Sequence, residues 1–347
     1  MAKGKTVQGM EEIKQFTLSP DQRLFSASES EIRYGWTTDV YFVKTREIIR
    51  HLGLDRTPVV AEIFARKPGL LAGVEEAKNL LQDTGAEVWS LPEGADFGEK
   101  EVVMRIIGAY DDFGLYETAL LGILASSTGW ATAANFCKKA AGDKKVVCFG
   151  ARHLHPAVAP VMERAAVIGG ADGNSCLLGA KLLNIEPSGT VPHTVFLLVG
   201  DSVKVAETYH QVMPPGSPVV VLVDTFKDEI EESLRVAKAL GQSLSAVRLD
   251  TPRERGGVTP ELVQETRARL DQAGFQHVEI LVSGGLNPER IALLASVGAD
   301  SFGVGSYIAG APAIDMTMDI KEINGKPIAK RGRIPGCTNS PRLERLL

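Results

Sequence analysis

Four apolar runs in this 347-residue chain end in residues suited to chemistry. Two end in aspartate: Val223-Asp224-Thr225 and Leu249-Asp250-Thr251. Two end in glycine-rich turns: Ser283-Gly284-Gly285-Leu286 and Gly303-Val304-Gly305-Ser306. Glycines without Cβ let main-chain N–H groups approach an anion, so the glycine pair suits a phosphate. A carboxylate at such a position suits sugar hydroxyls, a bound Mg²⁺ or a developing cation, or it simply caps the following helix. Asp228 reads as a first-turn helix residue. The run ending at Phe149 continues Gly150-Ala151-Arg152-His153-Leu154-His155. Arg152 there is a candidate carboxylate anchor, because a guanidinium offers two parallel hydrogen bonds. His153 and His155 read as caps or solvent-facing residues. Gly169 to Ser175 follows another apolar run read as a strand and opens a helix, where Asp172 and Asn174 are either site residues or simply an N-cap. In Gly189 to Thr194, Thr190 and His193 stand in a compact polar segment, and His193 could act as acid, base or nucleophile.

The elements that must carry these residues fall into two groups. Thr57 to Ala65, Ala86 to Leu91 and Val102 to Ala109 read as strands, with helices over Asp39 to Leu52 and Leu71 to Thr84. This predicts a small α/β sandwich over residues 1–118. Asp21 to Trp36 reads as loop. Tyr116 to Ala140 reads as one long buried helix, bent at Gly129. From Lys145 onward, apolar runs alternate with helical stretches. The runs are Val146 to Phe149, Ala166 to Ile168, Val219 to Val223, Ala246 to Leu249, Val278 to Val282 and Ser301 to Val304. The helices are Pro156 to Arg164, Asn174 to Leu183, Val203 to Val212, Glu229 to Leu240, Pro260 to Ala273 and Asn287 to Val297. Such alternation predicts a parallel sheet covered on both faces, closing as an irregular α/β barrel over residues 119–310. Barrels place their sites at the C-terminal strand ends and often bind phosphate after the last two strands. The tail from Ile320 predicts a hairpin at Asn324-Gly325 that completes the first domain with residues 311–347.

Composition narrows the class. The chain is 44% hydrophobic and 23% charged, with a net charge of -5. That gives no domain-wide basic excess for nucleic acid. The four cysteines include no C-x-x-C pair, and no run of about 20 apolar residues could span a membrane. The polar Met1 to Glu12 has no signal-peptide core. Scattered thiols without a leader predict a cytoplasmic protein. An aldolase or isomerase barrel would need a lysine or glutamate at a strand end, and no lysine stands there. A barrel that had lost its chemistry could lack Asp224 or Asp250, and both are present.

The ordered motifs resemble the nicotinate and quinolinate phosphoribosyltransferases. The resemblance rests on Thr38 to Thr45, Tyr116 to Thr132, Phe149 to Arg152, Gly170 to Leu178, Gly189 to Thr194, Val223 to Thr225, Val247 to Asp250, Val282 to Gly285 and Phe302 to Ser306. It implies a two-domain fold with a roughly seven-stranded barrel. It implies a homodimer with shared sites, Tyr41 reaching the neighbour's site. The implied substrates are nicotinate and phosphoribosyl pyrophosphate, with Mg²⁺ held mainly through pyrophosphate. The implied product is nicotinate mononucleotide, in NAD biosynthesis. Many nicotinate enzymes couple ATP hydrolysis through a phosphohistidine, and His193 matches that position. Under this resemblance His193, Asp224 and Asp250 are the expected catalytic residues. Tyr41, Arg152, Asp172, Asn174, Ser175 and Thr190 are expected to bind substrate. Ser283, Gly284, Gly285, Gly303, Gly305 and Ser306 are expected to bind phosphate. His153 stands where the family often has a second basic residue. Quinolinate is the alternative acceptor. It has two carboxylates, and the one clear arginine here, with Arg164 on the next helix, favours a monocarboxylate.

Overall fold

The computed structural model describes residues 6–17 and 23–347. The first five residues of the polar N-terminal stretch lie outside the described residues, as do residues 18–22 and with them the start of the Asp21 to Trp36 segment. The rest of that segment is not all loop. Ser28 accepts from the Glu31 N–H while Glu31 accepts from Ser28, and this capping box starts a short helix, Glu29–Arg33. The chain forms two compact units, Met1–Gly129 with Pro312–Leu347, and Trp130–Ala311.

The first unit is built on a six-stranded antiparallel sheet. Its middle strands, Pro58–Ala65, Val102–Ala109 and Met316–Ile323, bury alternate or successive apolar residues, among them Ile63, Met104 and Ile106. The hairpin expected in the tail turns at Asn324 and Gly325, both with positive φ. Its long strand pairs beside Pro58–Ala65, inside the sheet. Glu62, 1% exposed, accepts from the Arg105 guanidinium at 2.6 and 3.0 Å and from the Thr338 N–H and hydroxyl. A buried carboxylate is tolerated only when paired in this way, so one residue ties the tail to the sheet.

The long helix runs unbroken from Glu117 to Ala141. Gly129 does not interrupt it. A Cβ there would lie 2.4 Å from the Pro312 carbonyl oxygen, so glycine serves a close backbone approach. Among the described residues no helix is long and apolar enough to cross a membrane.

The second unit carries a parallel sheet of six strands in the order Gly173–Asn174, Lys145–Cys148, Ser301–Val304, Glu279–Ser283, Leu244–Leu249, Val219–Leu222. The last strand in sequence returns to pair with the first, as in a barrel. The sheet stays open, because Gly173–Asn174 and Val219–Leu222 do not pair. It is a curled half-barrel, and the expected seventh strand is missing. Ala166 to Ile168 is instead the last turn of a helix, Ala159–Ile168, begun by Pro160 in its first turn. Ala165 and Ala166 are buried beside Met162 at helical spacing, and that face produced the apolar run. The covering helices start on side-chain caps. Asp201, Asp228, Thr259 and Asn287 each accept from a first-turn N–H. Asp228 is thus the cap itself.

Candidate active site

The C-terminal ends of five of these strands surround a cavity of about 340 Å³. Phe149, Arg152 and His153 follow Lys145–Cys148, and Ser175 follows Gly173–Asn174. Arg248 and Asp250 stand at the end of Leu244–Leu249. Ser283, Gly284 and Gly285 close the next strand, and Gly303, Gly305 and Ser306 the last. Gly189 and Thr190 come in from the segment before His193.

Side-chain direction alternates along a strand, so Arg248 and Asp250 point the same way, into the mouth. All three nitrogens of the Arg248 fork are engaged. Its Nε donates to Ser283 Oγ at 2.8 Å, one Nη to Thr190 Oγ1 at 2.7 Å, and the other to Asp250 at 3.3 Å. Its Cζ lies 5.3 Å over the Phe149 ring centre. Ser283 Oγ donates in turn to Asp250 Oδ1 at 2.7 Å. Burial lowers the Arg248 pKa from its ordinary value, against the pull of Asp250 and Asp224, yet a guanidinium stays charged. The network therefore fixes a carboxylate that lines the cavity, with 22% of its side-chain surface exposed, at a defined height above the sheet.

The glycine-rich side of the cavity presents main chain. Gly284 and Gly285 have φ of 92° and 62°, which only glycine adopts readily. Among the described residues, the N–H groups of Gly284, Gly285, Gly305 and Ser306 donate to no backbone or side-chain acceptor. At Gly303 the requirement is space: a Cβ there would sit 2.3 Å from a Phe149 ring carbon. Gly303→Ala is expected to cost about 1–3 kcal/mol of unfolding free energy through overpacking. Denaturant melts read this, and an unchanged midpoint would contradict the packing described.

Glu163 supports the opposite wall. It is fully buried on helix Ala159–Ile168, where its carboxylate accepts from Ala151 N, Ser175 Oγ and Cys176 N. It thereby holds the loops after two neighbouring strands. Cys148 ends its strand nearby, but burial pushes its thiol well above the usual range, so it is no nucleophile.

Most of the expected residues meet here: Arg152, Ser175, Thr190, Asp250, Ser283, Gly284, Gly285, Gly303, Gly305 and Ser306 all line the cavity. His193 and Asp224 form a pair beside it, Nε2 lying 3.1 Å from the carboxylate. Burial raises the Asp224 pKa, and His193 opposes the rise. Asp172 is elsewhere. Its carboxylate accepts from Val146 N at 2.8 Å and Lys138 Nζ at 2.9 Å, at the start of the Lys145–Cys148 strand. It precedes its own strand, so it sits at the end of the sheet away from the mouth. Asn174 lies within that strand, fully buried, with neither amide atom partnered, and does not reach the cavity. Tyr41 belongs to the other compact unit, 55% exposed on helix Val40–His51. Arg248, Phe149 and Glu163 are the site residues that the sequence reading left without a role. The R-L-D alternation ending that strand was the available signal for Arg248. Nothing short-range marks Glu163.

Comparison with known proteins fits this arrangement. Residues 39–128 match the N-terminal domain and residues 130–319 the C-terminal domain of quinolinate phosphoribosyl transferase. A crystal structure of nicotinate-nucleotide pyrophosphorylase from Pyrococcus furiosus is 45% identical, with a TM-score of 0.87, covering 91% of this chain and 82% of that one. A nicotinate phosphoribosyltransferase of Mycobacterium tuberculosis is 34% identical over 247 residues, 69% of this chain. The chain spans only about half of that relative, 52% of its length. A probable carboxylating nicotinate-nucleotide pyrophosphorylase of Methanothermobacter thermautotrophicus is 24% identical over 274 residues, 77% of this chain and 91% of that protein. The resemblance read from the motifs is met at the level of the group, while the narrower choice of nicotinate is not. The chain belongs to the quinolinate phosphoribosyl transferase family of pentosyltransferases.

Proposed function

We propose that this chain transfers phosphoribosyl from phosphoribosyl pyrophosphate to a pyridine carboxylate, giving nicotinate mononucleotide and pyrophosphate for NAD biosynthesis. The observation that carries the proposal is the single cavity in which a network-held Asp250 stands beside unpartnered main-chain N–H groups. The pyridine nitrogen bonds to the anomeric carbon as the bond to pyrophosphate breaks. Positive charge develops on the ribose ring, and Asp250 is placed to offset it and to orient the hydroxyls. Gly284, Gly285, Gly305 and Ser306 hold the 5′-phosphate through their N–H groups. Mg²⁺ fits the reading as an ion carried by pyrophosphate, with Asp224 and Asp250 the carboxylates near the leaving group. It would supply neutralising charge there.

Quinolinate is the acceptor that the comparisons back better, through the name of both domain models and the pyrophosphorylases. In that case the 2-carboxylate departs as CO₂ and the ring carbon takes a proton. Nicotinate is the second reading, and one feature of the site favours it. Each nitrogen of Arg248 is held by an internal bond, so Arg152 and His153 are the cavity's other basic side chains for an acceptor. The Mycobacterium tuberculosis relative, named a nicotinate enzyme, points the same way. Purified protein with phosphoribosyl pyrophosphate and Mg²⁺ separates the readings when offered nicotinate, quinolinate and nicotinamide in turn. Pyrophosphate release is expected with a carboxylate acceptor and not with nicotinamide. With quinolinate, one CO₂ appears per pyrophosphate. No release with any of the three overturns the proposal.

Arg152 is the acceptor's carboxylate anchor in this account. Arg152→Ala is expected to raise the acceptor KM about 10- to 100-fold, the worth of a charge-assisted bond. The KM for phosphoribosyl pyrophosphate should hardly move, and equal effects on both would remove the assignment. The His193–Asp224 pair is the place for ATP coupling by histidine phosphorylation, since the carboxylate orients the ring. If ATP stimulates turnover, His193→Asn should abolish the stimulation and leave the ATP-independent rate. Persistence of the stimulation in the variant would exclude His193.

A further inference from the structure

A second cavity, about 400 Å³, shares Asp250, Gly284 and Gly285 with the first and extends away from it. Its other walls are the Thr251–Gly257 loop and Arg290 from helix Pro288–Ala295. We infer that this annex is a second anion subsite, which takes the outer phosphate of a ligand bearing a 5′-diphosphate. The inference rests on the reading that Gly284 and Gly285 hold a 5′-phosphate.

Two guanidinium groups make the case. Arg253 lies beside the shared glycine turn, its Nη2 3.4 Å from where a Gly285 Cβ would be. Arg290 lies beside the opposite turn, its Nη2 3.7 Å from a Gly257 Cβ position. Among the described residues neither side chain is in an ion pair, although the unit is rich in carboxylates. Arg290 donates one Nη to the Val258 carbonyl, which fixes it in place. Its Nε–H is buried and donates to nothing. That Nε–H is closed off from solvent, so an anion in the annex would meet the rest of the half-buried Arg290 side chain, which lines the cavity and pairs with no carboxylate among the described residues. Asp250, the carboxylate on the shared wall, is already answered by Arg248 and Ser283. Gly256 and Gly257 donate their own N–H groups within their turn, so the arginines would make the recognition. Both cavities border the Gly284–Gly285 turn. A second phosphate bonded to one held at that turn would extend toward the annex walls, where Arg253 and Arg290 stand. Free 5′-monophosphates would leave the annex to solvent.

Ribose 5-phosphate and ADP-ribose probe this directly, because ADP-ribose is the same sugar phosphate carrying a second phosphate and adenosine. Calorimetric titration should show ADP-ribose binding at least tenfold tighter than ribose 5-phosphate. Arg253→Gln changes an exposed side chain with no partner in the fold, and should weaken ADP-ribose about tenfold while leaving ribose 5-phosphate unchanged. Equal affinities overturn the annex, as does an ADP-ribose advantage that survives Arg253→Gln, since adenosine alone would then account for it. If ribose 5-phosphate itself does not bind, the phosphate reading of the first cavity falls and the annex with it.

Discussion

Asp250→Ala is expected to lower kcat by about 10²- to 10³-fold, the usual cost of removing a preorganised group aimed at developing charge. The residue is well suited to produce so large an effect. It accepts from Ser283 at 2.7 Å and faces Arg248 at 3.3 Å, so it is already oriented before substrate arrives. Asp250→Asn keeps the size and loses the charge. It should show most of the same loss, while Kd for ribose 5-phosphate stays within a few-fold. Single-turnover rates together with that Kd distinguish a transition-state role from a binding role. A variant that loses affinity but keeps kcat would make Asp250 a binding residue only.

The second large effect belongs to Arg248, whose fork joins three elements of the site: Thr190, Ser283 and Asp250. Arg248→Met keeps much of the volume and strips five donors. Asp250 then loses its counter-charge in a partly enclosed mouth. Breaking such a pair costs 3–5 kcal/mol when fully buried, and here, with both partners partly exposed, about 2–3 kcal/mol. Turnover should fall at least about 100-fold, because the carboxylate is no longer held at its working height. Arg248→Lys should restore charge but not the three-way fork, and so recover little. Full rescue by lysine would mean that charge alone matters and that the network does not position Asp250.

The glycine-rich side of the site was legible because strand-to-helix turns announce themselves locally. Gly284, Gly285 and Gly305 each follow a strand and precede a helix, with Gly303 near the end of the last strand and Ser306 opening the helix after it, which is where a barrel-like sheet keeps its chemistry. Asp250 was legible for the same reason. Asp172 and Asn174 were misplaced through one error of period. Ala166 to Ile168 is apolar on a helical face, and taking it for a strand put the next polar residues at the mouth when they precede and occupy the following strand. Closure of the sheet was not legible either. It depends on whether Gly173–Asn174 meets Val219–Leu222, a pairing between segments far apart in sequence that no local pattern encodes. Arg248 hid inside a strand read for its apolar residues. Glu163 hid on a helix, because three donors from the loops on either side of that helix converge on it only in space.

The measurement that bears most directly on the central claim is a crystal structure with nicotinate mononucleotide bound, the product common to both acceptor readings. The account predicts the 5′-phosphate against the N–H groups of Gly284, Gly285, Gly305 and Ser306, the ribose hydroxyls on Asp250, and the ring carboxylate on Arg152. A phosphate seated away from those glycine turns, with Asp250 out of reach of the ribose, would contradict it.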